Sequence, residues 1–222
     1  MKTLKLKSWI AGLMLAWTAL PANAVLFSFS HEFSGSGDVC ANGTCATLSV
    51  LQNGANVDFL LDANLASGEF ITGLYGNRDP FAFTSSAEFG SRGGTGADAV
   101  TSNTSGLDSL KADGDGFFDW VWNFSSTNGG PRLDGTDTFS WSFFDTSLDD
   151  VVNAVSQNGP VGKNGFTFAL RVQGLGAGNE GSGWFDAVTT PNGQVPEPAA
   201  AALFALALLA MGFTLRRKAR AL

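Results

Sequence analysis

The sequence predicts an all-β protein: an antiparallel β-sandwich or jelly-roll-like body with one short helix, followed by a single C-terminal transmembrane helix. Three observations carry the prediction. Apolar residues recur with period two in about eight short runs, as half-buried strands require. Clusters of Gly, Asn and Asp separate these runs, as turns between antiparallel strands do. The chain then abandons alternation for an unbroken apolar run from Ala199 to Leu215, closed by Arg216, Arg217 and Lys218.

In chain order, "VLFSFSHEF" sets Val25, Phe27, Phe29, His31 and Phe33 on one face and Ser28, Ser30 and Glu32 on the other. "DVCANGTCATL" holds the only two cysteines, Cys40 and Cys45, about an Asn-Gly turn. An even count at short spacing in an exported chain points to a disulfide-closed loop. The spacing excludes a Cys-x-x-Cys redox pair, and a zinc site would need more His or Cys than the one histidine, His31. "ATLSVLQNGANVDFLLDA" reads as two strands about Asn53-Gly54, and "GEFITGLYG" as another. "GFFDWVWNFSS" aligns Phe118, Trp120, Trp122 and Phe124, and "DTFSWSFF" aligns Phe139, Trp141 and Phe143. In "TSLDDVVNAVSQNGP" the period changes: Ser147 is an N-cap, acids fill the first turn, and Leu148, Val151, Val152 and Val155 recur at helical spacing before Asn-Gly-Pro. "GFTFALRVQG" returns to alternation. The Gly-rich stretches near 90–96 and 174–183 read as loops.

The ends fix the organisation. Residues 1–24 form a secretory signal peptide, with Lys2, Lys5 and Lys7, an apolar run of about 13 residues and an Ala-x-Ala site at Ala22 to Ala24. Residues 25–190 are the body, 191–198 a linker and 199–222 the membrane tail. The chain has 13 Lys and Arg against 20 Asp and Glu, but seven of the basic residues lie in the two ends. Val25 to Glu197 therefore holds six basic and all 20 acidic residues, a net charge of −14. Such a body repels nucleic acid and anionic membrane surfaces, leaving cations, neutral polymers or other proteins as partners.

Candidate chemistry in the body is sparse. Asp113, Asp115 and Asp119 in "DGDGFFD" read either as a calcium-binding turn or as a solvated acidic turn before a strand. "GGTGADAVT" fits one copy of a nonapeptide calcium repeat, which cannot complete a site alone, or an ordinary Gly-rich loop. Gly176, Gly178 and Gly181 fit a dinucleotide motif without the helix it needs. Trp120, Trp122, Trp141 and Trp184 could stack on sugars, but an inward core ladder accounts better for Trp120 and Trp122, since Asp119 and Asn123 already mark the wet face. A Ser-His-Asp mechanism would have to use His31 on an apolar face, and no pair of the 20 acids is singled out for glycoside hydrolysis. No catalytic residue is assigned.

The tail explains itself better. Its 17 apolar residues are at the short limit of a membrane span, and the following basic cluster stays cytoplasmic by the positive-inside rule. Pro196, Glu197 and Pro198 then stand just outside the membrane as an extended segment that a protease groove can read. This arrangement resembles the PEP-CTERM sorting signal: Val-Pro-Glu-Pro, one span and an Arg-rich end. The resemblance implies a Gram-negative host, processing by an exosortase, an inner-membrane-tethered intermediate, and delivery to the cell surface or exterior, where such proteins accompany exopolysaccharide and biofilm genes. The body is loosely similar to other β-rich PEP-CTERM middles, including "GSGW" at Gly181 to Trp184. The expected function is a non-enzymatic binding or structural role in the exopolysaccharide envelope, with exopolysaccharide or envelope proteins as partners. The alternative is a secreted two-carboxylate glycosidase.

Overall fold

The computed structural model describes residues 24–81, 89–113, 115–155 and 165–189. The segment expected to be a signal peptide, up to Asn23, the expected linker, and the tail with its sorting residues lie outside the described residues. Ten strands run as β1 (Ala24–Gly35), β2 (Ala46–Asn53), β3 (Asn56–Ala63), β4 (Phe70–Gly76), β5 (Val100–Ala112), β6 (Asp115–Phe124), β7 (Leu133–Asp134), β8 (Thr138–Phe143), β9 (Phe168–Leu175) and β10 (Gly181–Thr189). One helical turn, α1 (Asp149–Val152), precedes β9. Among the described residues no helix is long and apolar enough to cross a membrane.

All pairings are antiparallel, but the expected pair of stacked sheets is replaced by one. The strands form a single sheet in the order β5-β6-β4-β9-β10-β1-β2-β3-β8, with the short β7 added to β4. This sheet curls into half a barrel, so that strands from its two ends meet across a common core. Trp120 of β6 lies 5.8 Å from Trp141 of β8, Trp122 lies 5.2 Å from Phe139, and Phe59 of β3 lies 6.3 Å from Trp120, all edge to face. A sheet folded onto its own face and two stacked sheets bury the same alternate residues, which is why the periodicity could not tell them apart.

Local chemistry explains the elements. The β2–β3 hairpin closes through Gly54 and Ala55, with Asn53 opposite Asn56, and Gly54 at φ +62° supplies the positive φ that a two-residue hairpin loop needs. Gly76 lies opposite Trp120, and a Cβ there would strike the indole ring and approach Phe168 to 2.8 Å. The edge of β8 is covered by residues 90–96: Gly90 and Gly93 donate N–H groups to Ser142 and Ser140 carbonyls at 2.8 and 3.0 Å, and Gly96 to Thr138 at 2.8 Å. The "GGTGADAVT" segment thus protects a sheet edge, with glycines where a side chain would collide with Thr138 or Leu133. Gly176 and Gly178 turn the β9–β10 hairpin, where the Gly178 N–H donates to the Gly176 carbonyl at 2.9 Å, and β10 follows instead of a helix.

Two expectations shift. The helix runs one turn instead of continuing to Val155, which is 46% exposed. Its start behaves as predicted: the Asp150 N–H donates to Ser147 Oγ at 3.2 Å, while Asp150 Oδ2 accepts from the Ser147 N–H at 3.0 Å. His31 leaves the apolar face because a register shift between Phe29 and His31 turns the strand by one residue. It stands exposed, with Nδ1 2.7 Å from Asp186 Oδ1.

Candidate functional site

Asp119 organises a polar region of the body. It sits on β6 between the buried Phe118 and Trp120 and is only 5% exposed. Its Oδ2 accepts the Arg78 N–H at 3.0 Å and its Oδ1 accepts the Asp108 N–H at 2.9 Å. Burial raises its carboxyl pKa above the ordinary value; the two N–H donors oppose that rise, and the nearby Asp108 and Asp79 carboxylates reinforce it. One carboxylate therefore ties two segments to β6. The first is the chain leaving β4, where Asn77 accepts the Trp120 indole N–H on its carbonyl at 3.3 Å and Arg78 reaches the Asp145 carbonyl through Nη2 at 3.1 Å. The second is a bulge in β5: Ser105 pairs with Trp120 and Leu110 with Phe118, so four β5 residues have no opposite number, and Asp108 within them takes φ +46°. Asp tolerates that left-handed conformation better than most residues.

Between these segments and the end of α1 lies a cleft of about 250 Å³ that includes Asn77, Asp79, Asp108, Asp119 and Asn153. A larger hollow of about 570 Å³ lies over the outer face of β2, β3 and β8, beside Leu51, Leu60 and Arg92. Among the described residues that line it the one carboxylate is Asp58, which accepts from Ser142 Oγ and Asn53 Nδ2, both at 2.6 Å. The smaller cleft is where acceptors remain unused.

Asp113 and Asp119 of "DGDGFFD" have separate surroundings. Asp113, at the tip of the β5–β6 hairpin with φ +52°, accepts a hydrogen bond from Ser34 Oγ of β1. This contact folds the hairpin tip over a second apolar cluster of Ala112, Phe118, Ala169 and Trp184. Asp115 pairs through its backbone with Ala112. Asp119 faces the cleft. Among the described residues no group of three His, Cys, Asp or Glu could hold a metal ion.

Cys40 and Cys45 are joined in a disulfide, with Cα atoms 5.3 Å apart. Gly43 at φ +81° closes the turn inside the loop, donating its N–H to the Cys40 carbonyl at 2.7 Å. Sequence reading missed the residue that anchors this loop: Glu69, 3% exposed, accepts the Ala41 and Ala66 N–H groups on separate oxygens at 2.9 and 2.8 Å. It also missed Asn77, Arg78 and Asp79, although a polar "GNRDP" directly after a buried strand was a usable signal. Trp120, Trp122 and Trp141 are at most 1% exposed, so they form the core ladder and present no face to a sugar.

The sorting residues complete the account. Residues 194–218 match the PEP-CTERM protein-sorting motif, a stretch that includes Pro196, Glu197, Pro198, Arg216, Arg217 and Lys218. The chain is therefore a carrier of that motif, which implies export, a membrane-anchored intermediate, and exosortase as the processing partner. No curated protein and no solved structure matches the chain.

Proposed function

We propose that this protein is a non-enzymatic component of the cell surface or extracellular matrix of a Gram-negative bacterium, released from its tail by an exosortase and acting by binding in a polysaccharide-rich envelope. The sorting motif at residues 194–218 carries the reading, because it implies export of the β-rich body. The acidity of the body supports it, since a net charge of −14 keeps the protein off anionic lipid and nucleic acid and leaves neutral polymers accessible. Among the described residues the buried acids Glu69 and Asp119 each hold two backbone N–H groups, a structural use of both side chains. Calcium at Asp113, Asp115 and Asp119 would be an added ligand of this body; a melting temperature that rises with calcium and falls with chelator would establish it, and an unchanged one would remove it.

The test is co-sedimentation of the exported protein with exopolysaccharide from its host, together with an assay for new reducing ends. Retention on the polymer without cleavage is expected. Sugar release abolished by Asp119→Asn would establish the glycosidase in its place.

A further inference from the structure

We propose that β5 is an interface: its outer edge pairs antiparallel with the β5 of a second copy, joining two bodies into one continuous sheet. The sheet has two terminal strands, β8 and β5. The β8 edge is closed by residues 90–96, whereas nothing among the described residues pairs with the outer side of β5. Alternate N–H and C=O groups of an edge strand point away from its neighbour, and such a row is a ready template for another strand.

Local contacts delimit the open part. At its start the Val100 N–H donates to the Ala97 carbonyl, and at its end the Gly106 carbonyl accepts from Ser109 Oγ at 2.8 Å. Further on, the bulge at 106–109 and Lys111 guard the strand in the usual ways, by breaking the ladder and by adding charge. Thr101 to Ser105 has none of these protections. It carries no charge and no proline, Thr101, Ser102 and Thr104 are exposed, and among the described residues its backbone bonds only to β6.

Charge and symmetry make the occupant a second copy. A body of net charge −14 repels its like over most of its surface, and this segment lets two backbones meet with no charged side chain between them. Pairing about a two-fold axis at Asn103 sets Ser102 against Thr104 and Thr101 against Ser105, so every flanking rung matches two hydroxyls, a cross-strand pair that antiparallel sheets favour. Asp98 and Asp108 flank the segment in each copy, so the pairing tightens in salt, which screens them. Five rungs make a small contact, and the association is weak and reversible. Because the β8 edge is covered, the assembly closes at two copies and does not propagate into a fibre.

The test uses the processed protein recovered from the cell exterior. Sedimentation equilibrium at rising concentration should show monomer and dimer only, with more dimer at high than at low sodium chloride. Opposite Cα atoms of paired strands lie about 4.5–5.5 Å apart, within disulfide reach, whereas Leu107, four residues from the axis, would lie about 27 Å from its copy at about 3.4 Å per residue. Cys40 and Cys45 are already joined, so the thiol of Asn103→Cys is unique and mild oxidation should link it to its own copy; Leu107→Cys, at a site 62% exposed, should not link. Thr104→Lys should abolish the dimer while leaving the melting temperature within a few degrees. Since it also makes each body less negative, a dimer held elsewhere would be strengthened by it. The linking of Asn103→Cys decides the question even where Thr104→Lys fails to fold. A monomer at every concentration, equal linking at the two sites, a dimer that survives Thr104→Lys or weakens in salt, or growth into fibres would overturn the assignment.

Discussion

Replacing Asp119 by alanine tests how the cleft is built. The carboxylate holds the Arg78 and Asp108 N–H groups, and its loss strands both, one of them fully buried. An orphaned buried donor costs about 1–3 kcal/mol, so two cost about 2–6 kcal/mol, reduced somewhat because a poorly solvated charge is removed as well. For a body of this size that lowers the melting temperature by about 5–15 °C. Asp119→Asn keeps one acceptor and should lose about half as much. The pH dependence gives a second handle. Because the native pKa of Asp119 lies above its unfolded value, its stabilising contribution is full below the unfolded pKa and shrinks as pH rises through the native one. The stability gap between wild type and Asp119→Asn should therefore be larger near pH 3 than near pH 7. Thermal unfolding followed by circular dichroism across that range measures both effects. A Tm for Asp119→Ala within 2 °C of wild type, or a gap that widens with rising pH, would refute the role given to this carboxylate.

Two further outcomes follow from packing and covalent closure. Cys45→Ser opens a loop that spans only five positions, so it should cost about 2 kcal/mol and leave the exported protein folded, as chemical denaturation would report; loss of all cooperative unfolding would contradict it. Gly76→Ala drives a methyl group into the Trp120 ring, and overpacking of this kind costs about 1–3 kcal/mol; an unchanged denaturation midpoint would mean that β4 and β6 are not packed as described.

Much of this molecule was legible because its signals are local. The alternation in "VLFSF" and "WVWNF", the Asn-Gly turns and the paired cysteines each specify structure within a dozen residues, and each is present, whereas Phe118 leaves the face of Trp120 and packs with Ala169 and Trp184 in the second cluster. Strand β5 was not legible: "VTSNTSGLDSLKA" has no alternating apolar face, and as an edge strand paired only with β6 it needs none. Strand β10 hid behind its glycines for a related reason, because Gly183 lets β1 approach closely where a Cβ would crowd Glu32 at 2.6 Å. The cleft was invisible for want of proximity in sequence. Asn77, Asp108, Asp119 and Asn153 come from four segments that meet only once β4, β5 and β6 are in register. Asp119 was singled out beforehand, but as a neighbour of Asp113, whereas hydrogen bonding joins the two to different parts of the chain.

The most direct test of the account lies in the tail. With Pro196, Glu197 and Pro198 all changed to alanine, the apolar run from Ala199 to Leu215 and the basic residues after it are untouched, so insertion and topology are preserved while the recognition segment is lost. Cell fractionation with intact-mass analysis should find the signal-cleaved, full-length variant accumulating in the inner membrane, while the wild type is trimmed of its tail and recovered outside. A variant trimmed and exported like the wild type would contradict exosortase sorting and reduce the tail to an ordinary anchor.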